Sequence, residues 1–268
     1  MAIACSTSVF SRSTLEEALK GVHRLGFRNI DLLLIDGWVH VNTTDLARDY
    51  EGTLARVDAL LKQYALTPVA FNSGVSPLLH DRSKQGCAQR EAQVKALIRL
   101  MNHYHVSVAA VQPRNPDPGR PRDQVLRDSA STMRDMVEMA VGTGITFALE
   151  CHSGSIVETM AEVQEMMRLV PELRFAYDPT HFVMNGIALQ DTLPLMEKSV
   201  QVHLRDAAPG AMQARFGQGA VDFDWILTQL QARDYQGHFS IEYLEQEGHD
   251  LSADVLGLRD KIAEFFPE

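Results

Sequence analysis

The sequence predicts an α/β protein closed as a single (β/α)8 TIM barrel, and three observations carry that prediction. Short apolar strands alternate with amphipathic helical stretches along the whole 268 residues. Strands such as Asn29 to Ile35 are continuously apolar, which suits a parallel sheet covered on both faces. Four consecutive strands in the second half each end on a carboxylate or an imidazole: Glu150, Asp178, His203 and Glu242. In a barrel of this type the strand C-termini and their loops build the active site. One barrel domain is therefore expected over residues 1–268.

Taken in order, Ile3 to Thr7 is the first expected strand. Ser13 with Glu16 reads as a capping box, opening a helix with Leu15, Ala18, Leu19 and Val22 on one face. Asn29 to Ile35 is the second strand. The loop Asp36-Gly37-Trp38-Val39-His40 follows, with Trp38 a candidate pocket wall. A helix over 52–65 leads to the strand Thr67 to Phe71, and a longer helix over 84–104 to the strand Ser107 to Val111. The Pro-rich stretch 113–119 reads as a βα loop rather than a linker, because strand–helix alternation resumes at once. A helix over 121–142 precedes the fifth strand, 146–150. Ser155 with Glu158 then reads as a second capping box, for a helix running to about 169. The remaining units are the strand 173–177 with a helix at 187–198, the strand 200–204 with a helix from Asp222, and the strand 238–243 with a helix at 253–265.

Composition narrows the function. The chain is 45% hydrophobic and 22% charged, an ordinary globular balance. A net charge of −10 argues against a dedicated nucleic-acid binder, which carries a basic face. No apolar run approaches the roughly 18 residues of a membrane span. Residues 1–10 do not read as a secretory leader. Cys5, Cys87 and Cys151 are scattered and odd in number, which points to a reducing, cytoplasmic setting. Cys151 should face away from Glu150 on an alternating strand and belong to the packing.

The four strand ends carry the chemistry. Three carboxylates converging without a cation would repel one another. A divalent ion resolves this, and three hard oxygens with one imidazole suit Mn²⁺, with Mg²⁺ or Co²⁺ as alternatives.

The motifs Leu149-Glu150-Cys151-His152, Asp178-Pro179-Thr180-His181, His203-Leu204-Arg205-Asp206, Gly217 to Phe223 and Ile241-Glu242 resemble the xylose isomerase-like TIM barrels. That superfamily groups sugar isomerases, ketose 3-epimerases, inosose and dehydroshikimate dehydratases, and endonuclease IV. The resemblance spans essentially the whole chain. It implies that Glu150, Asp178, His203 and Glu242 hold one metal ion, and that His181 and Arg205 face the substrate.

The departures are informative. Endonuclease IV needs extra histidines for three zincs. Here the third and fourth strands end near Asn72 and Gln112, and a Asp222-Phe223-Asp224 stretch replaces the expected Asp-x-His. The nuclease reading is rejected. Ketose 3-epimerases carry a Glu and an Arg where this chain has Ile156 and Pro209. A standard free-ketose 3-epimerase is therefore not assured.

The expected activity is a metal-dependent aldose–ketose isomerase or keto-sugar epimerase, working through an enediolate with Glu150 and Glu242 as the acid/base pair. A dehydratase of a keto-polyol is the alternative, and a non-catalytic sugar- or metal-binding barrel the third reading. His152 either reaches substrate or orients a ligand carboxylate. Asp206 is expected to pair with a neighbouring base, and His40 and His80, on rim loops, either to contact substrate or, the favoured reading, to lie at the surface. The loops after strands seven and eight offer only Arg205 and Arg215 against Asp206, Glu245 and Glu247, which favours a non-phosphorylated small sugar or keto-polyol. Nucleic-acid and membrane partners are not expected, and a homo-oligomer is left open.

Overall fold

The computed structural model describes residues 1–38 and 40–267, so Val39 in the Trp38 loop lies outside the described residues. Eight parallel strands close in sequence order into a barrel, β1 pairing with β8. They are β1 Ile3–Ser6, β2 Asn29–Ile35, β3 Thr67–Gly74, β4 Val108–Val111, β5 Thr146–Glu150, β6 Arg174–Tyr177, β7 Ser199–Leu204 and β8 His238–Ile241. The helices are α1 Leu15–Arg24, α2 Thr43–Arg48, α3 Tyr50–Tyr64, α4 Lys84–Tyr104, α5 Arg122–Ala140, α6 Met160–Leu169, α7 Pro179–Met184, α8 Leu193–Met196, α9 Phe223–Ala232 and α10 Ser252–Phe265. The expected (β/α)8 barrel is thus present.

The pleat sorts each strand. On β2, Ile30, Leu32 and Leu34 join the large core between barrel and helices, while Asp31 crosses the barrel interior to Gln201 and Ser240. On β5, Phe147 and Leu149 face the outer core, joined by Cys151 just past the strand, while Ala148 belongs to a small inner cluster with Val108, Ala110 and Ala176. Cys151 is therefore in the packing, as its parity with Glu150 requires. Small inner side chains leave the upper barrel to the polar groups.

The structure corrects several local expectations. The first helix is capped by Thr14 with Glu17, one residue beyond Ser13 and Glu16, while the expected apolar face is kept. Ser155 and Glu158 form no helix cap. Ile156 and Val157 bury in the core there, and the helix opens only at Met160, under the Thr159–Glu162 capping box. The helix expected over 187–198 breaks into a 3₁₀ turn at Leu189–Thr192 and the short α8, and α7 precedes it. Asp178 caps α7, accepting from the Thr180 amide, and Pro179 occupies the first helical turn. β3 runs three residues past Phe71, because Asn72, Ser73 and Gly74 keep pairing with Leu33, Leu34 and Ile35.

Candidate active site

The C-terminal mouth of the barrel holds the candidate groups at the heights their strands set. Glu150 ends β5, Asp178 follows β6, His203 lies near the end of β7 and Glu242 follows β8. All four are buried. His203 Nδ1 lies 2.8 Å from Glu242 Oε2 and 3.1 Å from Glu150 Oε1. Glu150, His203 and Glu242 present ligand atoms within 4.8 Å of one another, and Glu150, Asp178 and His181 form a second such group. Glu150 is common to both. The four strand-end residues thus fall in two groups joined through Glu150, the second of which includes His181.

Electrostatics divide the two glutamates. Burial and the charge of Glu242 hold the Glu150 carboxyl above its usual range. Burial pushes Glu242 the same way, but His203 and Arg205 outweigh it and hold Glu242 below the usual range. Burial disfavours the imidazolium of His203, yet the charges of Glu242 and Glu150 prevail and hold it well above an ordinary histidine.

Each glutamate is also gripped by an amide. Asn72 Nδ2 donates to Glu242 Oε1 at 2.7 Å, and Gln112 Nε2 donates to Glu150 Oε2. The sequence identified these two residues only as positions where nuclease ligands are missing. Their role as carboxylate holders depends on pairing across the barrel, which local sequence does not encode. Among the described residues the other oxygen of Glu242, Oε2, and Asp178 Oδ2 make no hydrogen bond despite being buried, with His203 Nδ1 and Arg205 Nη2 at ion-pair distance from them. Buried carboxylate oxygens left this way suit an electropositive occupant, and three carboxylates with an imidazole are a donor set for a divalent ion.

Below this layer lies a residue that sequence reading missed. Burial pushes the Asp31 carboxyl up to about 7, with His203 opposing the rise. Asp31 Oδ2 accepts from Ser240 Oγ at 2.7 Å and Gln201 Nε2 at 3.0 Å, and lies 3.4 Å from His203 Nε2. An acidic residue inside a run of Ile and Leu was the available signal.

The second ring of candidates separates into two kinds. Arg205 is only 3% exposed and is committed to protein groups. Its Nε donates to the Met212 carbonyl and Nη1 to the Glu242 carbonyl, and Nη2 lies 3.3 Å from Asp178 Oδ2. Arg205 Nη2 also donates to His181 Nε2, so the His181 proton belongs on Nδ1, a buried atom without a partner. Burial, together with His152 and Arg205, holds His181 well below its ordinary range, hence neutral. The His152 ring lies 3.8 Å from that of His181, centre to centre. His152 Nδ1 donates to the Ser153 carbonyl at 2.7 Å, leaving Nε2 as its acceptor.

Above the centre opens a cavity of about 580 Å³, lined by Trp38, Leu78, Met212 and Leu244 with Gln112, Arg114 and His152. Trp38 is 39% exposed and does wall this cavity. Its loop is pinned at both ends: Asp36 accepts from the Thr44 amide and hydroxyl, and Asn42 accepts from the Gly37 amide. Gly37 has φ +75, a conformation open to glycine at little cost. Arg114 Nη1 ties the same loop by donating to the Asp36 carbonyl.

Two expectations for nearby loops are corrected. Among the described residues Asp206 forms no ion pair; it accepts from the amides of Ala207, Gly217, Gly219 and Val221 and so folds the loop after β7. His40 and His80 are buried rather than superficial, and His40 bridges Thr7 Oγ1 and the Phe10 carbonyl. Arg215 is engaged by Asp254. Among the described residues no helix is long and apolar enough to cross a membrane.

The chain is thus a closed parallel (β/α)8 barrel with a buried acidic–imidazole cluster, a donor set of the kind that binds divalent ions, at its C-terminal mouth. The family model described as "Xylose isomerase-like TIM barrel" matches residues 19–261, and the chain belongs to that family. It is 20% identical over 231 residues to an inosose isomerase of Halalkalibacterium halodurans, covering 81% of each chain. Its fold is similar to that of apo 3-keto-D-glucoside 4-epimerase from E. coli, with a TM-score of 0.72, 17% identity and 99% of both chains covered. It is also similar to the IOLI protein with a bound zinc atom, with a TM-score of 0.75, 17% identity and 100% of both chains covered.

Proposed function

We propose that the chain is a divalent-metal-dependent isomerase or epimerase of a keto-sugar or related keto-polyol. The observation that carries this reading is the Glu150–His203–Glu242 cluster, with Asp178 beside it, buried at the catalytic end of the barrel. Glu150, Asp178, His203 and Glu242 would hold the ion, with Mn²⁺ the favoured metal and Mg²⁺ or Co²⁺ alternatives. When bound, the ion supplies Lewis acidity toward a carbonyl and its neighbouring hydroxyl.

The residues divide the remaining work. Glu150 and Glu242 both meet His203 Nδ1 and would take and return the carbon-bound proton. Their environments push them in opposite directions, the pattern expected of an acid and a base at one centre. Asn72 and Gln112 fix the two carboxylates, so each proton transfer has a set direction. His181, neutral with its Nδ1–H unpaired, would donate to the developing oxyanion. Arg205 would act by holding Asp178, His181 and the Glu242 backbone rather than by reaching the substrate itself. His152 and Trp38 would contact the part of the substrate that extends into the cavity above. Arg205 and Arg215 are both engaged by carboxylates, which supports a non-phosphorylated substrate, and Arg114 on the cavity wall is the cation a phosphate would meet instead. The names of the inosose isomerase and the 3-keto-D-glucoside 4-epimerase support a keto-polyol substrate class.

The test is incubation with Mn²⁺ and a panel of keto-polyols in D₂O, followed by NMR. Deuterium in recovered substrate, or an isomer or epimer carrying deuterium at the reacting carbon, supports the proposal. A new alkene or deoxy-keto product would assign a dehydratase instead.

A further inference from the structure

We infer that Asp31 is a positioning residue that fixes the tautomer of His203, so that Nδ1 rather than Nε2 is offered to the ion. The inference rests on the metal reading above. It begins from the inward-facing residues of the barrel. Gln201 lies two residues before His203 on β7, and Ser240 two before Glu242, so by strand parity all four point inward, with Ser240 opposite His203 in the pairing register. Asp31 reaches Gln201 and Ser240 from β2, which β1 separates from β8, and accepts from each across the barrel interior.

The His203 ring has a carboxylate near each nitrogen. Its Nδ1 faces Glu242 and Glu150 at 2.8 and 3.1 Å. Its Nε2 lies 3.4 Å from Asp31 Oδ2, the nearest carboxylate oxygen to it, and makes no hydrogen bond among the described residues. A neutral imidazole carries one proton, and the nitrogen that ligates must be the one without it. The proton must then sit on Nε2, wholly buried, where an N–H without an acceptor is costly. Asp31 is the acceptor placed for it.

Asp31 is itself held still. Ser240 and Gln201 both donate to Oδ2, the oxygen that faces His203, so the carboxylate cannot swing away without losing two hydrogen bonds. A fully buried carboxylate in a run of aliphatic residues carries a desolvation cost that an apolar side chain would avoid. Orienting His203 is a reason to keep it. Carboxylate partners of ligating histidines typically carry about 10- to 100-fold in metal affinity.

Two substitutions grade the effect. Asp31→Asn retains an oxygen for Ser240, Gln201 and the His203 N–H but removes the charge. Asp31→Leu removes both. Isothermal titration with Mn²⁺ should show affinity weakened about tenfold by Asp31→Asn and about a hundredfold by Asp31→Leu. The metal-free melting temperature should not fall in parallel with the affinity. A purely structural role would give the reverse: a lowered melting temperature and unchanged affinity in the folded fraction.

A measurement on the unaltered protein covers the case in which a variant does not fold. Histidine-selective ¹⁵N NMR of the Zn²⁺-loaded chain, with His203 assigned by loss of its signals in His203→Gln, should place the proton on Nε2. A proton on Nδ1, or affinities of both variants within threefold of wild type, would overturn the inference while leaving the metal reading standing. A wild-type chain that binds no divalent ion would overturn both.

Discussion

Replacing Glu242 with Gln separates holding a metal from moving a proton. Glu242 Oε1 accepts from Asn72 Nδ2, while Oε2 faces His203 Nδ1 and makes no hydrogen bond. With Asn72 as it stands, the introduced amide would turn its oxygen to Asn72 and its nitrogen to the metal position. Asn72 Oδ1, however, is buried without a partner, so the Asn72 side chain loses nothing there by turning over. It then accepts from the new NH₂, and the new carbonyl oxygen is left for the ion. The variant should therefore still bind about one ion, with some loss of affinity. It cannot accept a proton at neutral pH. General acid–base catalysis contributes about 10²- to 10⁴-fold, or roughly 3 to 5 kcal/mol of barrier. The expected result is a turnover lowered by that amount at saturating Mn²⁺, with deuterium wash-in from D₂O lowered alongside if Glu242 removes the first proton. Glu150→Gln should lose net conversion by a similar factor yet keep some exchange. Recovery of either variant to within tenfold of wild type by excess Mn²⁺ would refute the reasoning and move proton transfer to His152 or His181.

Asn72→Leu removes a hydrogen bond to a buried carboxylate, worth about 1.5 to 3 kcal/mol, so turnover should fall about 10- to 100-fold with metal stoichiometry retained; titration and steady-state kinetics together check this. Trp38→Ala opens the cavity wall without touching the acidic cluster, and should raise KM about tenfold while leaving kcat near wild type. Burial holds His40 below its ordinary value of 6.5, so the folded protein resists a proton that the unfolded chain takes up. The stability from neutral His40 is complete above that value and is lost as pH falls below it. Melting temperatures between pH 7.5 and 5 should therefore decline less steeply in His40→Gln than in wild type. Asp206→Ala strips the acceptor from several loop amides and should cost about 3 kcal/mol, or roughly 6 to 12 °C in melting temperature.

The barrel and the four strand-end residues were legible because both are written locally. Apolar runs mark buried parallel strands, and Glu150, Asp178, His203 and Glu242 each close such a run. What escaped the sequence depends on pairing across space. Asn72 and Gln112 are polar residues near strand ends, and only barrel closure shows that they grip Glu242 and Glu150. Asp31 needed the opposite wall of the barrel to explain it. Arg205 looks available to substrate in the motif His203-Leu204-Arg205-Asp206, yet its donors are taken by the Met212 and Glu242 carbonyls and by His181. Capping signals competed in the same way. Ser155-x-x-Glu158 and Thr159-x-x-Glu162 have the same spacing, and burial of Ile156 and Val157 decides for the second.

The claim on which the rest depends is that one divalent ion sits among Glu150, Asp178, His203 and Glu242. Elemental analysis of the chain reconstituted with Mn²⁺ and passed through a desalting column, beside His203→Ala treated identically, tests it most directly. The account predicts about one Mn²⁺ per wild-type chain and a near-complete loss in the variant. Two or three tightly held ions, or equal metal in both proteins, would contradict it.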